Sequence, residues 1–268
     1  MGVITISRGS YSKGKEIAEK LAHNLGYQCI SRDILLETST HFNVPEVKLI
    51  RAIHDAPSFL ERYVRGKEKY IRFIREAFLE HVQRDNLVYH GLAGHFFVKD
   101  IPNIFKIRII ANIEDRVKDE MKREHITEEE ARFLLVKDDE ERRKWSLNLY
   151  GIDTKDSSLY DVVLHIDNLK VNDAVEILTD IAKRPCFQTT QGSQKILKDY
   201  YLAAKAQNAL FSEIPSFDVK CKNAVIYVNI ETDLSLEEDM IDKVKNILKN
   251  IDEIKEIRVI VNPFETDS

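Results

Sequence analysis

The chain has no run of 18 apolar residues, so no membrane-spanning helix is expected. Its opening, MGVITISRGS, lacks the basic end and long apolar stretch of a secretory leader, and a cytoplasmic protein is the expectation. Cysteine is scarce: Cys29, Cys186 and Cys221 are widely spaced and form no C-x-x-C pair, which supports neither a disulfide framework nor a zinc site. Each reads as a small buried apolar residue. A large excess of one charge is missing too. The 40 Lys and Arg face 45 Asp and Glu, a formal net of −5, which argues against a bulk electrostatic grip on nucleic acid. Residues 190–268 hold 10 basic and 14 acidic side chains, which leaves 30 against 31 for the rest, so any anion site must be a local cluster. What is present is 43% hydrophobic content over 268 residues, enough for one large α/β domain and a smaller one.

Short β-branched or apolar runs at 3–6, 27–30, 87–89, 105–111 and 162–166 read as buried strands separated by helical patterns. That alternation predicts an α/β fold: a mostly parallel sheet with helices on both faces, over residues 1–185. After Gly14, Ile17, Ala18, Leu21, Ala22 and Leu25 mark one face of a helix that Gly26 ends. Two helical insertions, 45–85 and 116–150, are rich in Arg, Lys and Glu, and each is placed to cover a site at the sheet edge. The cluster PCFQTTQGSQ, 185–194, reads as a linker. A second, small α+β domain over 195–268 follows in the order α-β-β-α-β, with its first helix from about Lys195.

The stretch ISRGSYSKGKEIAEKLA, 6–22, satisfies the front of G-x-x-x-x-G-K-[ST] with Gly9, Gly14 and Lys15. Glu16 stands where a hydroxyl usually ligates Mg²⁺. The match begins just after the first strand and opens a helix, where unpaired N–H groups and the helix dipole favour phosphate. Ser12, Lys13, Gly14, Lys15 and Glu16 are therefore the expected nucleotide-binding residues, with Lys15 reaching the β and γ phosphates. The bland alternative is a tight turn followed by a solvated lysine.

The opening ITISR…GKEIAEKLAHNLGY…SRDIL, with DIPNIFKIRIIANIEDR (100–116), ITEEEA (126–131), DDEERR (138–143) and YDVVLHID (160–167), resembles the cytidylate kinase-like family of P-loop nucleoside monophosphate kinases over about residues 1–182. The resemblance implies ATP and Mg²⁺ as cofactors, a monophosphate acceptor under the first insertion, CMP or dCMP being the family's suggestion, and an arginine-bearing lid from the second. It implies Lys15, Arg116, Arg142 and Arg143 as catalytic residues and Asp33 in the acceptor site. Asp33 reads equally as a helix N-cap. Arg62, Arg65, Lys69 and Arg72, spaced by three and four, form either an acceptor phosphate clamp or a solvated face paired with Glu61, Glu68 and Glu76. The lid arginines have an equally plain alternative in helix salt bridges such as Glu120 with Arg116. No metal ligand is named by the sequence.

Departures from the family pattern are Tyr11 and Lys13 in place of loop glycines, and His90-Gly91-Leu92 where Gly-Arg is usual. They leave two readings, a kinase of altered specificity or a nucleotide sensor acting through its tail. The tail resembles a BON-like domain, without the glycines common between that domain's strands. Self-association or a protein partner is its expected role, with no membrane and no nucleic acid bound.

Overall fold

The computed structural model describes residues 2–9, 12–31, 33–54, 66–91 and 93–263. Five parallel strands form the larger sheet: β1 (Val3–Arg8), β2 (Gln28–Ile30), β3 (Leu87–His90), β4 (Ile104–Ala111) and β5 (Val162–Ile166), in the order β2-β3-β1-β4-β5. The central strand is thus the first in the chain, which requires crossovers, and helices supply them. They are α1 (Gly14–Leu25), α2 (Asp33–His41), α3 (Glu46–His54), α4 (Gly66–Gln83), α5 (Gly94–Phe97), α6 (Ile113–Glu124), α7 (Glu128–Tyr150) and α8 (Val171–Ala182).

Alternation along each strand divides the sheet's two faces. Ile4 and Ile6 of β1, with Phe105, Ile107 and Ile109 of β4, pack on Ile17 and Leu21 of α1 and on Val175 and Leu178 of α8. Val3, Leu87, Tyr89 and Ile104 face the other way, into a core with Ile71, Ile74 and Phe78 of α4 and the fully buried Trp145 of α7. Helix α4 of the first insertion therefore lies on one face, and α1 on the opposite one.

The second insertion is a helical hairpin. His125 takes the left-handed conformation that ends α6, at φ 56°. Thr127 then caps α7: its hydroxyl accepts from the Glu130 N–H at 3.3 Å, and Glu130 Oε2 accepts from the Thr127 N–H at 2.9 Å. Val117, Ala131 and Leu135 seal the two helices together, and Arg132 spans them in a bidentate pair with Glu114 at 2.9 and 2.5 Å.

The tail has the expected order: α9 (Gln191–Leu210), β6 (Phe217–Lys222), β7 (Val225–Glu231), α10 (Glu237–Leu248) and β8 (Glu256–Asn262), its sheet running β6-β7-β8. One expectation fails at its start. The segment read as a linker already holds the first turn of α9, because Thr190 caps the helix by accepting from the Ser193 N–H at 3.1 Å. The cysteines also depart from expectation: Cys186 is exposed, while Cys29 and Cys221 are half-buried. No described helix is long and apolar enough to cross a membrane.

Candidate active site

The loop between β1 and α1 is pinned to the neighbouring strand. The Gly9 N–H donates to the Ile109 carbonyl at 3.4 Å, and the Ser12 N–H donates to the Gly9 carbonyl at 3.4 Å. Ser12 is fully buried, its hydroxyl 3.0 Å from the Gly9 carbonyl and 3.2 Å from that of Ile109. It shapes the loop; its hydroxyl does not face outward as a phosphate or metal ligand. The first bond of α1 runs from the Ile17 N–H to the Lys13 carbonyl at 3.0 Å, so helical geometry turns the amides of residues 14–16 out of the helix start. Gly14 is required by close approach: a Cβ there would lie 2.7 Å from both Cβ and Cδ of Arg8.

Lys13 holds the left-handed position, φ 64°, that a glycine would take without strain, and its ammonium pairs with Asp119 of α6. Deleting that pair through Asp119→Ala leaves the strain in place, whereas Lys13→Gly removes both. Lys13→Gly is therefore expected to be the more stable variant by about 1 kcal/mol, read from denaturant midpoints. Lys15 runs along the outside of α1, its ammonium 3.7 Å from Glu19 and its side chain 67% exposed. Glu16 also turns outward, 2.9 Å from Lys20. Neither side chain points into the loop in this structure.

Two of the three expected lid arginines meet the loop. Arg116, nearly buried, pairs with Asp139 of α7 at 2.8 Å, and both lie within 3.7 Å of where a Cβ on Gly9 would sit. Arg142 Nη1 donates to the Arg8 carbonyl at 3.0 Å. Arg143 turns instead to Asp153 at 2.8 Å, which raises its already high pKa. Glu120, the expected intrahelical partner of Arg116, pairs with Arg123 at 2.8 Å, while Arg116 pairs across the hairpin.

Beneath this corner lies a buried polar hub that sequence reasoning missed. The Tyr160 hydroxyl sits 3.3 Å from Ser7 Oγ, 3.4 Å from His95 Nε2, 3.1 Å from the Thr154 carbonyl and 3.2 Å from Arg108 Nη1. It joins the exit of β1 to β4, to α5 and to the segment returning from the lid. Burial, then Arg108 and Lys106, pushes the His95 pKa down to about 3, so the ring is neutral.

On the acceptor side, Asp33 opens α2. Arg62 and Arg65, like Tyr11 and Leu92, fall outside the described residues. Lys69 lies over the Phe73 ring at 5.5 Å, and the Arg72 guanidinium lies 4.8 Å from the Phe211 ring and 5.8 Å from that of Phe217, both in the tail. His90 is buried in β3, beside Ile6 in the ladder.

The described residues fit a nucleotide better than a protein-held metal. No group of three or more His, Cys, Asp or Glu among them converges on a metal site. Mg²⁺ usually arrives with phosphates and keeps most of its waters, so it needs no cage of protein ligands.

Comparison with known proteins agrees with this geometry. The model of the cytidylate kinase-like family matches residues 3–168. Among curated relatives, a cytidylate kinase of Thermococcus kodakarensis is 28% identical over 163 residues, 61% of this chain and 78% of that one. The cytidylate kinase of Thermoplasma acidophilum is 29% identical over 183 residues, 68% of this chain and 90% of that one. Among solved structures, an uncharacterized protein from Eubacterium ventriosum ATCC 27560 shares the fold, with a TM-score of 0.51 at 22% identity, over 69% of this chain and 100% of that one. A parallel sheet ordered β2-β3-β1-β4-β5, a phosphate-type loop after its central strand and a family match across more than half its length place this chain in the cytidylate kinase-like family.

Proposed function

We propose that the chain is an ATP-dependent nucleoside monophosphate kinase whose acceptor is CMP or dCMP. One observation carries the reading: the loop between Gly9 and Gly14 leaves the C-terminal end of the central parallel strand, opens α1, and has Arg116 and Arg142 laid against it from the lid. Ligands of open parallel sheets bind at that edge, and a helix start there takes phosphate through its amides and dipole.

In the reaction an oxygen of the acceptor's phosphate bonds to the γ phosphorus while the bond to the β–γ bridging oxygen breaks, its electron pair leaving with ADP. The chain's part is to position the two phosphates and to meet charge on the moving group. The amides of residues 14–16 face the donor phosphates. Arg116, oriented by Asp139, and Arg142, oriented by the Arg8 carbonyl, present permanent charges from above. Lys15 reaches the phosphates by leaving Glu19. Such an exposed i,i+4 pair is worth only about 0.3–0.5 kcal/mol, less than one charge-assisted contact to phosphate. Mg²⁺, bound to the phosphates, would neutralise further charge. Asp33, which opens α2, is assigned to the acceptor by family resemblance, and Arg62 and Arg65 by their place in the first insertion.

A coupled assay of ADP release across CMP, dCMP, UMP, AMP and GMP tests the reading. CMP or dCMP is expected to exceed the other acceptors in kcat/KM by about tenfold or more, the discrimination that about 1.4 kcal/mol provides. Preference for another base would move the acceptor assignment alone. ADP release stimulated by none of these acceptors would contradict the whole proposal.

A further inference from the structure

The family match ends at residue 168, yet the tail is not a separate appendage, because α9 forms a wall of both cores. Leu197 and Ala204 are buried in the large core with Ile71, Ile74 and Phe78 of α4, and the half-buried Tyr200 and Tyr201 pack against it. Leu202, Ala203, Ala206 and Leu210 lie in the small core with Val219, Ile226 and Val228. Close-packed interiors transmit displacement, so a shift of the small sheet presses on α4 through α9.

Polar contacts fix the register of that packing. Asn208 Nδ2 donates to Glu76 Oε2 at 2.6 Å and to the Arg72 carbonyl at 3.3 Å. The Arg72 guanidinium over Phe211 and Phe217 adds a cation–π contact to the same junction. Glu76 is 7% exposed, and burial raises its pKa, which the Asn208 bond, Lys205 and His41 partly offset and Glu80 reinforces. Arg75, between these two residues, lies near Tyr150 at the end of α7 and Tyr200 of α9. Three successive groups of α4 contacts thus reach the tail, the lid's last residue and the tail again, while the helix itself continues the acceptor-side insertion.

From this arrangement we infer that the C-terminal unit is a clamp on α4, latched by Asn208 and Glu76, which sets the acceptor site of the kinase and through which a change in the tail tunes monophosphate binding. The inference rests on the kinase reading for its effect on turnover, and on the fold alone for its effect on α4. Asn208 and Glu76 are positioning residues, since both act through the helix.

The test uses the full chain with Asn208→Ala, which removes the latch, and Glu76→Gln, which keeps an acceptor oxygen for it. Asn208→Ala is expected to raise KM for the monophosphate about tenfold while KM for ATP stays within about twofold, and Glu76→Gln to behave as the parent chain. Hydrogen exchange across residues 66–83 is expected to quicken in Asn208→Ala alone. Equal rises in both KM values, or unchanged KM values, would overturn the acceptor-site role. If the parent chain transfers no phosphoryl group, the kinase reading fails, and exchange still decides the clamp: unchanged protection of α4 in Asn208→Ala overturns it.

Discussion

Lys15→Ala is expected to lower kcat/KM for ATP by about 10²–10³ without weakening the fold, the size of effect seen when one group that meets transition-state charge is removed. The side chain is 67% exposed and touches Glu19 only at 3.7 Å. Its removal should therefore change stability by no more than about 0.5 kcal/mol. The contrast between the two readouts carries the information. A solvated lysine would leave both unchanged, and a structural one would lower both. Glu19→Gln, which frees the ammonium, is expected to keep or slightly improve ATP affinity in the same kinetic assay, because the competing pair is weak and screened.

Acid should destabilise the chain through His95, and His95→Gln should flatten the response. The folded ring titrates at about 3, well below the 6.5 of a free imidazole, because it is buried near Arg108 and Lys106. A depressed histidine pKa means that the unfolded chain binds the proton first. Stability is then fully present above about pH 6.5 and falls as pH drops toward 3, by about 1.4 kcal/mol per pH unit for one proton. Carboxylates contribute their own slopes, so the measurement is the difference between the parent and His95→Gln in melting temperature from pH 7 to pH 4. Parallel curves would contradict a neutral buried His95. The hub it belongs to holds Ser7 at the exit of β1, so activity lost with the fold in acid should return in step with refolding.

The sheet was legible in the sequence because buried parallel strands are short, β-branched and bounded by turns, and each of the five expected runs is a strand within one or two residues. The helical character of the lid was legible in its charged pattern, whereas the break that makes it a hairpin comes from the capping box in ITEEEA that starts α7. Contacts between distant segments were not legible. Arg72 shares a face with Lys69 by spacing, but nothing local reveals that Phe211 and Phe217 come to it from the tail. The pairing of Arg116 with Asp139, and the meeting of Ser7, His95, Arg108 and Tyr160, likewise depend on how helices and strands cross. QTTQGSQ misled because a polar, glycine-bearing cluster reads as a linker, while Thr190 and Ser193 make it a helix start. In the loop, the motif's second glycine, Gly14, opens α1 as its spacing implied. It could not show that Ser12 turns inward or that Lys15 and Glu16 lie along α1.

The central claim is that the amides opening α1 hold the donor's phosphates. Backbone amide resonances of Gly14, Lys15 and Glu16, followed by NMR during an ATP titration with Mg²⁺, test it directly. Large saturable shifts at these three residues, much reduced in Lys15→Ala, are the predicted result. Resonances that stay in place while ATP binds elsewhere, or does not bind at all, would contradict it.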